Sequence, residues 1–331
     1  MKKIITLIIG AILPLAALAQ MDADACHFWS DWSLYNPGNI KPYNAGTLLL
    51  RGQQIGFNGQ PYTVAANFSF FNAKLSSQFG GEIRFDHAGY TSTAKVDFRY
   101  AYSIGSDYDR VNLGLSGGIS YLNYDLDKVI VDNTSDELAF SEEEKHLKPN
   151  YNFGVEWIHR VDKEYAEADE LSVGGSILNL EDFLSRKAFR NTINSMYLYA
   201  AYRHRTIHHF DWLGGALFNY YDTNRSQVEL HGAAILTAAD DGGLDTYDKV
   251  AVGVSYRHNV QGYGNNDMTI NAGWGITKHF HIGYAFDFVV EDNVKKPYST
   301  HELILQYRFV NRKCVNGRFS GTKGFMPYGG R

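Results

Sequence analysis

Apolar and polar residues alternate one by one along most of this chain. In His301 to Phe309, Leu303, Leu305, Tyr307 and Phe309 alternate with Glu302, Ile304, Gln306 and Arg308. Successive side chains of a strand point to opposite faces, so this segment has one apolar face and one largely polar face. The same period recurs in about fourteen segments, with almost nothing helical between them.

The first, Thr47–Phe57, mixes its faces at Arg51, Gln53 and Gln54, which implies a bulge or a charged inner side. Asn58-Gly59-Gln60-Pro61 turns it into a strand with Tyr62, Val64, Ala66, Phe68 and Phe70 on one face. Phe79–Asp86 and Ala94–Tyr102 form a hairpin around His87-Ala88-Gly89-Tyr90, with Glu82, Arg84, Asp86, Lys95, Asp97 and Arg99 on its polar side. Val111–Tyr124 follows, then an acidic stretch from Asp125 to Lys148, then Tyr151–Trp157. Leu171–Leu180, Ser195–Arg203, Trp212–Tyr221, Gln227–Leu236, Lys249–Arg257, Met268–Trp274 and Phe280–Phe288 lead to the closing strand.

Most runs match the roughly 9 to 11 residues that a tilted transmembrane strand requires. The polar faces hold charges of both signs, which a packed core does not tolerate. A secreted β-sandwich is the soluble alternative, but its strands are shorter and both inner faces need covering. The pattern therefore predicts an all-β fold, a transmembrane antiparallel up-and-down β-barrel of about fourteen strands, with the long acidic loop on the extracellular side.

Composition sharpens this picture. Aromatics reach 15%, with Tyr 23 and Phe 20, beside Gly 32 and only Pro 7, which suits many strands with aromatic girdles. A net charge of -5 with Lys+Arg 31 shows no basic face and argues against nucleic acid. Met1-Lys2-Lys3, an apolar run from Ile4 to Leu18 and Ala17-Leu18-Ala19 before Gln20 read as a secretory signal peptide. No later apolar stretch reaches the roughly 20 residues of a membrane-spanning helix. The expected divisions are a signal peptide (1–19), a periplasmic lead-in (20–46), the barrel (47–310) and a basic periplasmic tail (311–331).

Candidate chemistry is sparse. Gly114-Leu115-Ser116-Gly117-Gly118 matches a nucleophile motif, but that motif works at a strand-to-helix turn and this copy sits inside an alternating strand. His204, His208 and His209 gather near Arg205 without Cys or carboxylate at ligand spacing, and are read as turn residues. His301-Glu302 lacks the second His of a zinc signature, since position 305 is Leu. No catalytic, metal or cofactor site is expected. Arg51, Glu82, Arg84, Asp86, Asp97, Arg99, Asp287, Glu302 and Arg308 are expected to form a lumen charge network, which either braces the barrel or lines a gate. Cys26 and Cys314 lie near opposite ends of the mature chain and read either as a disulfide or as two unpaired thiols.

Several stretches together resemble the PorP/SprF family of outer-membrane proteins attached to type IX secretion and gliding. Tyr35-Asn36-Pro37 looks like that family's Tyr-Asn-Pro opening. The run from Arg51 to Thr63 is similar to its Arg-x-Gln-Trp-x-Gly-Phe-x-Gly-x-Pro-x-Thr signature, with Gln54 where Trp is usual. Asp86 with Gly89, Tyr100-Ala101-Tyr102, Gly174 to Leu180, Ile282 to Asp287 and His301 to Phe309 follow in the family's order. The resemblance implies a barrel without catalytic activity. Its partners would be type IX machinery subunits, secreted surface proteins such as adhesins, and outer-membrane lipid. A porin or FadL-like transporter of small solutes is the alternative.

The stretch after the closing strand carries Arg312, Lys313, Arg318, Lys323 and Arg331. It is read either as a dock for a machinery subunit or as a solvated terminus.

Overall fold

The computed structural model describes residues 25–26, 31–41, 43–53, 60–89, 91–106, 108–124, 145–161, 168–180, 195–206, 209–221, 225–239, 246–260, 266–290 and 299–309. The signal peptide (1–19), the tail (311–331), Cys314 and His208 lie outside them. Among the described residues no helix is long and apolar enough to cross a membrane.

Fourteen antiparallel strands close into one barrel, each paired with its chain neighbours and the last with the first. They are β1 (Asn44–Gln53), β2 (Tyr62–Asn72), β3 (Ser77–Ala88), β4 (Thr91–Gly105), β5 (Asp109–Tyr124), β6 (Lys145–Val161) and β7 (Asp169–Leu178). The second half is β8 (Ser195–His204), β9 (Phe210–Tyr221), β10 (Arg225–Ala239), β11 (Thr246–Asn259), β12 (Asp267–Gly275), β13 (Phe280–Val289) and β14 (Ser299–Phe309). Closure pairs Asn44 with Phe309 and Arg51 with Glu302. No edge is left to recruit another chain.

The burial pattern is inside out. Phe98, Leu115 and Ile83 expose 68%, 60% and 56% of their surface, whereas Arg99, Glu156 and Glu302 are buried. Only a hydrocarbon solvent makes that arrangement favourable, so the apolar faces are the membrane-facing wall. In β14, Glu302, Ile304 and Gln306 turn inward while Tyr307 and Phe309 stay outside, as the alternation predicts.

The end where β1 begins and β14 finishes is here called the near end. The connections there span at most seven residues (162–168), while at the far end they reach twenty (125–144).

Several boundaries differ from those read in the sequence. β1 starts at Asn44 and pairs with β2 without a shift in register, so Arg51 marks the inner side and not a bulge. β6 begins at Lys145, six residues before the expected start. Pro149 and the charges around it disguise that end, which is fixed by pairing with β5 as far as Asn123.

The largest departure concerns the expected lead-in. Residues 31–41 are buried inside the barrel, where Trp32, Leu34 and Tyr35 pack with Ala25 against Leu49, Ala65, Leu178, Tyr197, Tyr199, Ala201, Leu217 and Ile304. A segment so rich in rings finds in the lumen the dry contact that water would deny it.

Candidate functional site

This inner segment forms a plug. Asp31 caps a short 3-10 turn, Trp32–Leu34, and its side chain accepts from Ser33 N at 3.1 Å. Trp32 then lies flat on Tyr199 of β8, and Tyr35 tilts against Tyr197 with centroids 4.9 Å apart. The Ser176 hydroxyl donates to the Tyr35 carbonyl at 2.5 Å. Asn36 Nδ2 donates to the Val155 carbonyl at 2.9 Å, and its Oδ1 accepts from Gly38 N at 2.7 Å.

Two glycines make room for this contact. A Cβ on Gly114 would overlap the Pro37 backbone, and one on Gly154 would overlap the Asn36 side chain. Gly114 opens the stretch that resembles a nucleophile motif. Here it lies in mid-strand, and Ser116 accepts from Asn152 Nδ2 at 2.7 Å.

Polar bonds to Glu156, Arg99 and Gln78 clasp the plug to the wall. Glu156 on β6 accepts from Asn39 Nδ2 at 2.9 Å, from Tyr199 at 2.8 Å and from Asn112 Nδ2 at 3.0 Å. The Lys41 ammonium sits 2.5 Å from Asp31, which lies on the same segment. Burial pushes the Asp31 carboxyl up, but Lys41, the Ser33 hydrogen bond and the nearby Arg99 outweigh it and hold the carboxyl below its usual range. Arg99 donates to the Ser33 carbonyl at 2.5 Å and to Asn67 Oδ1 at 2.7 Å, tying the plug to β2 and β4. Gln78 at the near end donates to the Lys41 carbonyl at 2.7 Å.

The nine charges singled out in the sequence all lie on strands and on the inner face, at three places along the wall. Glu82, Arg84, Asp86, Asp97 and Arg99 share the β3–β4 wall. Arg84 donates to Glu82 at 2.7 Å, Asp97 pairs with Lys95 at 3.2 Å, and Asp86 accepts from Thr63 at 2.6 Å. Arg51, Glu302 and Asp287 lie toward the far end. There Glu302 accepts from Cys26 N at 2.7 Å, and Asp287 lies 3.6 Å from Arg257. Arg308 is at the near end, donating to Gln306 Oε1 at 2.6 Å, with its guanidinium 5.1 Å from the ring of Tyr43.

Cys26 is completely buried. Burial, reinforced by the neighbouring Glu302 carboxylate, raises its thiol well above the ordinary range. Its backbone bond to Glu302, three residues into β14, sets it near the far end, while Lys41 is at the near end. Cys26 and Lys41 thus lie toward opposite ends of the barrel.

The sequence reading missed the clasp residues Asp31, Asn39, Lys41, Glu156 and Tyr199. The available signal was an aperiodic segment carrying Trp, Tyr, Pro and Asn, too apolar for a free linker. It also missed Arg257, which joins Glu229 at 3.1 Å and Asp267 at 3.7 Å, and Arg203, which bridges Asp211 at 2.8 Å and Asp248 at 2.6 Å. Of the histidine cluster, His204 pairs with Asp169 at 3.1 Å. No group of three or more metal-ligating side chains occurs among the described residues.

Residues 17–307 match a family model described as type IX secretion system membrane protein PorP/SprF. Among solved structures the chain is similar to the CymD monoaromatic hydrocarbon channel, at 9% identity and TM-score 0.49, over 84% of this chain and 92% of that one. The Ralstonia pickettii toluene transporter TbuX is 11% identical with TM-score 0.48, over 84% of this chain and 93% of that one. The Acinetobacter baumannii outer membrane protein Omp33 is 11% identical with TM-score 0.45, over 82% and 100%. No curated protein matches the chain.

Proposed function

Because the chain belongs to the PorP/SprF family of type IX secretion system membrane proteins, we propose that it is a non-enzymatic outer-membrane component of that machinery. In this reading it works beside the secretion subunits in exporting or retaining large surface proteins such as adhesins.

The observation that carries the reading is a barrel filled by its own chain. A porin-like role calls for a passage, whereas here residues 31–41 are buried inside the barrel, clasped by Glu156, Arg99 and Gln78. A filled barrel serves as a membrane-embedded platform. The short near-end connections suit the periplasmic side and the long far-end ones the extracellular side. On that orientation β14 ends at Phe309 on the periplasmic side, and the basic stretch that follows it in sequence, with Arg312, Lys313, Arg318 and Lys323, is proposed as the dock for a machinery subunit.

The absence of catalysis is part of the proposal. The serine of the nucleophile-like motif lies in mid-strand and accepts from Asn152 Nδ2. Purification of the tagged protein from native membranes, with identification of what accompanies it, tests the reading. Type IX subunits together with a secreted surface protein are the expected companions. Recovery of the barrel alone would overturn it.

A further inference from the structure

The inner wall of the β3–β4 hairpin holds its ions as pairs. In the register Glu82 faces Asp97 and Arg84 faces Lys95, so like charges lie directly across from each other, which costs a sheet stability unless other groups compensate. Compensation runs along each strand, where Arg84 donates to Glu82 Oε1 at 2.7 Å and Lys95 lies 3.2 Å from Asp97. The plug brings a pair of its own, Lys41 with Asp31.

A cavity of about 30 Å³ lies between this wall and the plug, with Glu82, Arg84, Lys95 and Asp97 on one side and Ser33 and Tyr35 on another. A buried water needs roughly 10 to 15 Å³ on that scale, so the room suits one edge of a small polar molecule and not a whole one. Hydrogen-bonding capacity of both kinds is left there. The Lys95 ammonium has three donors and one partner, Asp97. Arg84 occupies Oε1 of Glu82, and Oε2 makes no hydrogen bond among the described residues. Lys95 keeps 14% and Glu82 13% of its side-chain surface open, so both are within reach. Asp97 is already filled by Asn150 Nδ2 at 2.8 and 2.9 Å and Asn152 Nδ2 at 3.4 Å.

We propose that this cavity binds the hydroxyl edge of a neutral sugar. A hydroxyl both accepts and donates, so neighbouring hydroxyls of one ring serve the Lys95 donors and the Glu82 acceptor. A charged group does not fit as well. An anion meets the carboxylates of Glu82 and Asp97, a cation meets Arg84 and Lys95, and either one disturbs pairs that already neutralise each other away from bulk water. A neutral ligand leaves the pairs intact. The same hydroxyl chemistry is offered by a free hexose or by a hexose at the end of a glycan. The inference is independent of the secretion reading, since it is measured on the isolated barrel.

Saturation-transfer NMR titration of the full-length protein in a sugar-free detergent tests it. The probes are glucose, galactose and mannose, their methyl glycosides, and gluconate and glucosamine as charged counterparts. At least one neutral hexose binds saturably, and more tightly than either charged compound. If its methyl glycoside binds too, the source is a glycan end; if only the free hexose binds, it is the free sugar. Lys95→Met and Glu82→Gln each weaken that binding about tenfold or more. Lys74→Gln, exposed in a near-end turn, leaves it unchanged. Each variant is checked for its β circular dichroism, and should Lys95→Met not fold, the isosteric Glu82→Gln carries the comparison. The proposal is overturned if no neutral hexose saturates, if gluconate or glucosamine binds as tightly, or if either folded variant costs less than tenfold.

Discussion

Trp32 of the plug lies flat on Tyr199 of the wall, with ring centroids 4.0 Å apart and planes within 8°. The Tyr199 hydroxyl passes the contact on to Glu156 at 2.8 Å. One residue therefore couples apolar stacking to the polar clasp. Trp32→Ala removes the ring from a dry site, and losses of about 3 to 5 kcal/mol attend such truncations. The loss falls on plug docking, because the strand ladder does not use Trp32. Limited proteolysis near residue 31 should accelerate in the variant while the strand signal in circular dichroism stays intact.

Glu156 serves three donors, so its removal orphans three groups. Glu156→Leu should destabilise docking by about 1 to 3 kcal/mol for each donor left buried and unpaired. Glu156→Gln keeps an acceptor and should cost clearly less. Denaturant midpoints of the two variants provide the comparison, and equal midpoints would remove Glu156 from the clasp.

The Asp31–Lys41 pair has a definite pH signature. Asp31 is held below its unfolded value of about 3.9, so its stabilisation is fully present above that pH and disappears as pH falls through the lowered value. Trp32 fluorescence, taken as the difference from a Trp32→Phe variant, should be constant from pH 7 to about 5 and change only in stronger acid. Asp31→Asn should abolish that acid transition and weaken docking at neutral pH.

Cys26 should be chemically silent while the barrel is folded. Its thiol is buried and raised, and the thiolate is the reactive form. After mild reduction, maleimide should leave the Cys26 peptide unlabelled in the native protein and label it fully after heating in detergent. Rapid native labelling would show that the upper plug is open to solvent.

The wall was legible in the sequence because lipid outside and ions inside impose a period of two on every strand. Fourteen segments, the inward set from Arg51 to Arg308 and the long connection after β5 all follow from that period. The plug was not legible, because Trp32, Tyr35 and Asn36 act through contacts with partners over a hundred residues away, such as Val155 and Tyr199. Glu156 alternated correctly as an inward residue, but nothing local distinguishes a clasp from any other lumen carboxylate. Gly114 illustrates the same limit. Its neighbours spell a catalytic motif, while its bare Cα answers to Pro37.

The central claim is a membrane barrel whose lumen is closed by its own residues 31–41. Single-channel recording in planar bilayers tests it most directly, comparing the unaltered protein with the variant Gly114→Val, whose side chain overlaps Pro37. The account predicts a silent parent and a variant that opens stepwise ion-conducting events. A steady open channel in the unaltered protein, unchanged by the substitution, would contradict it.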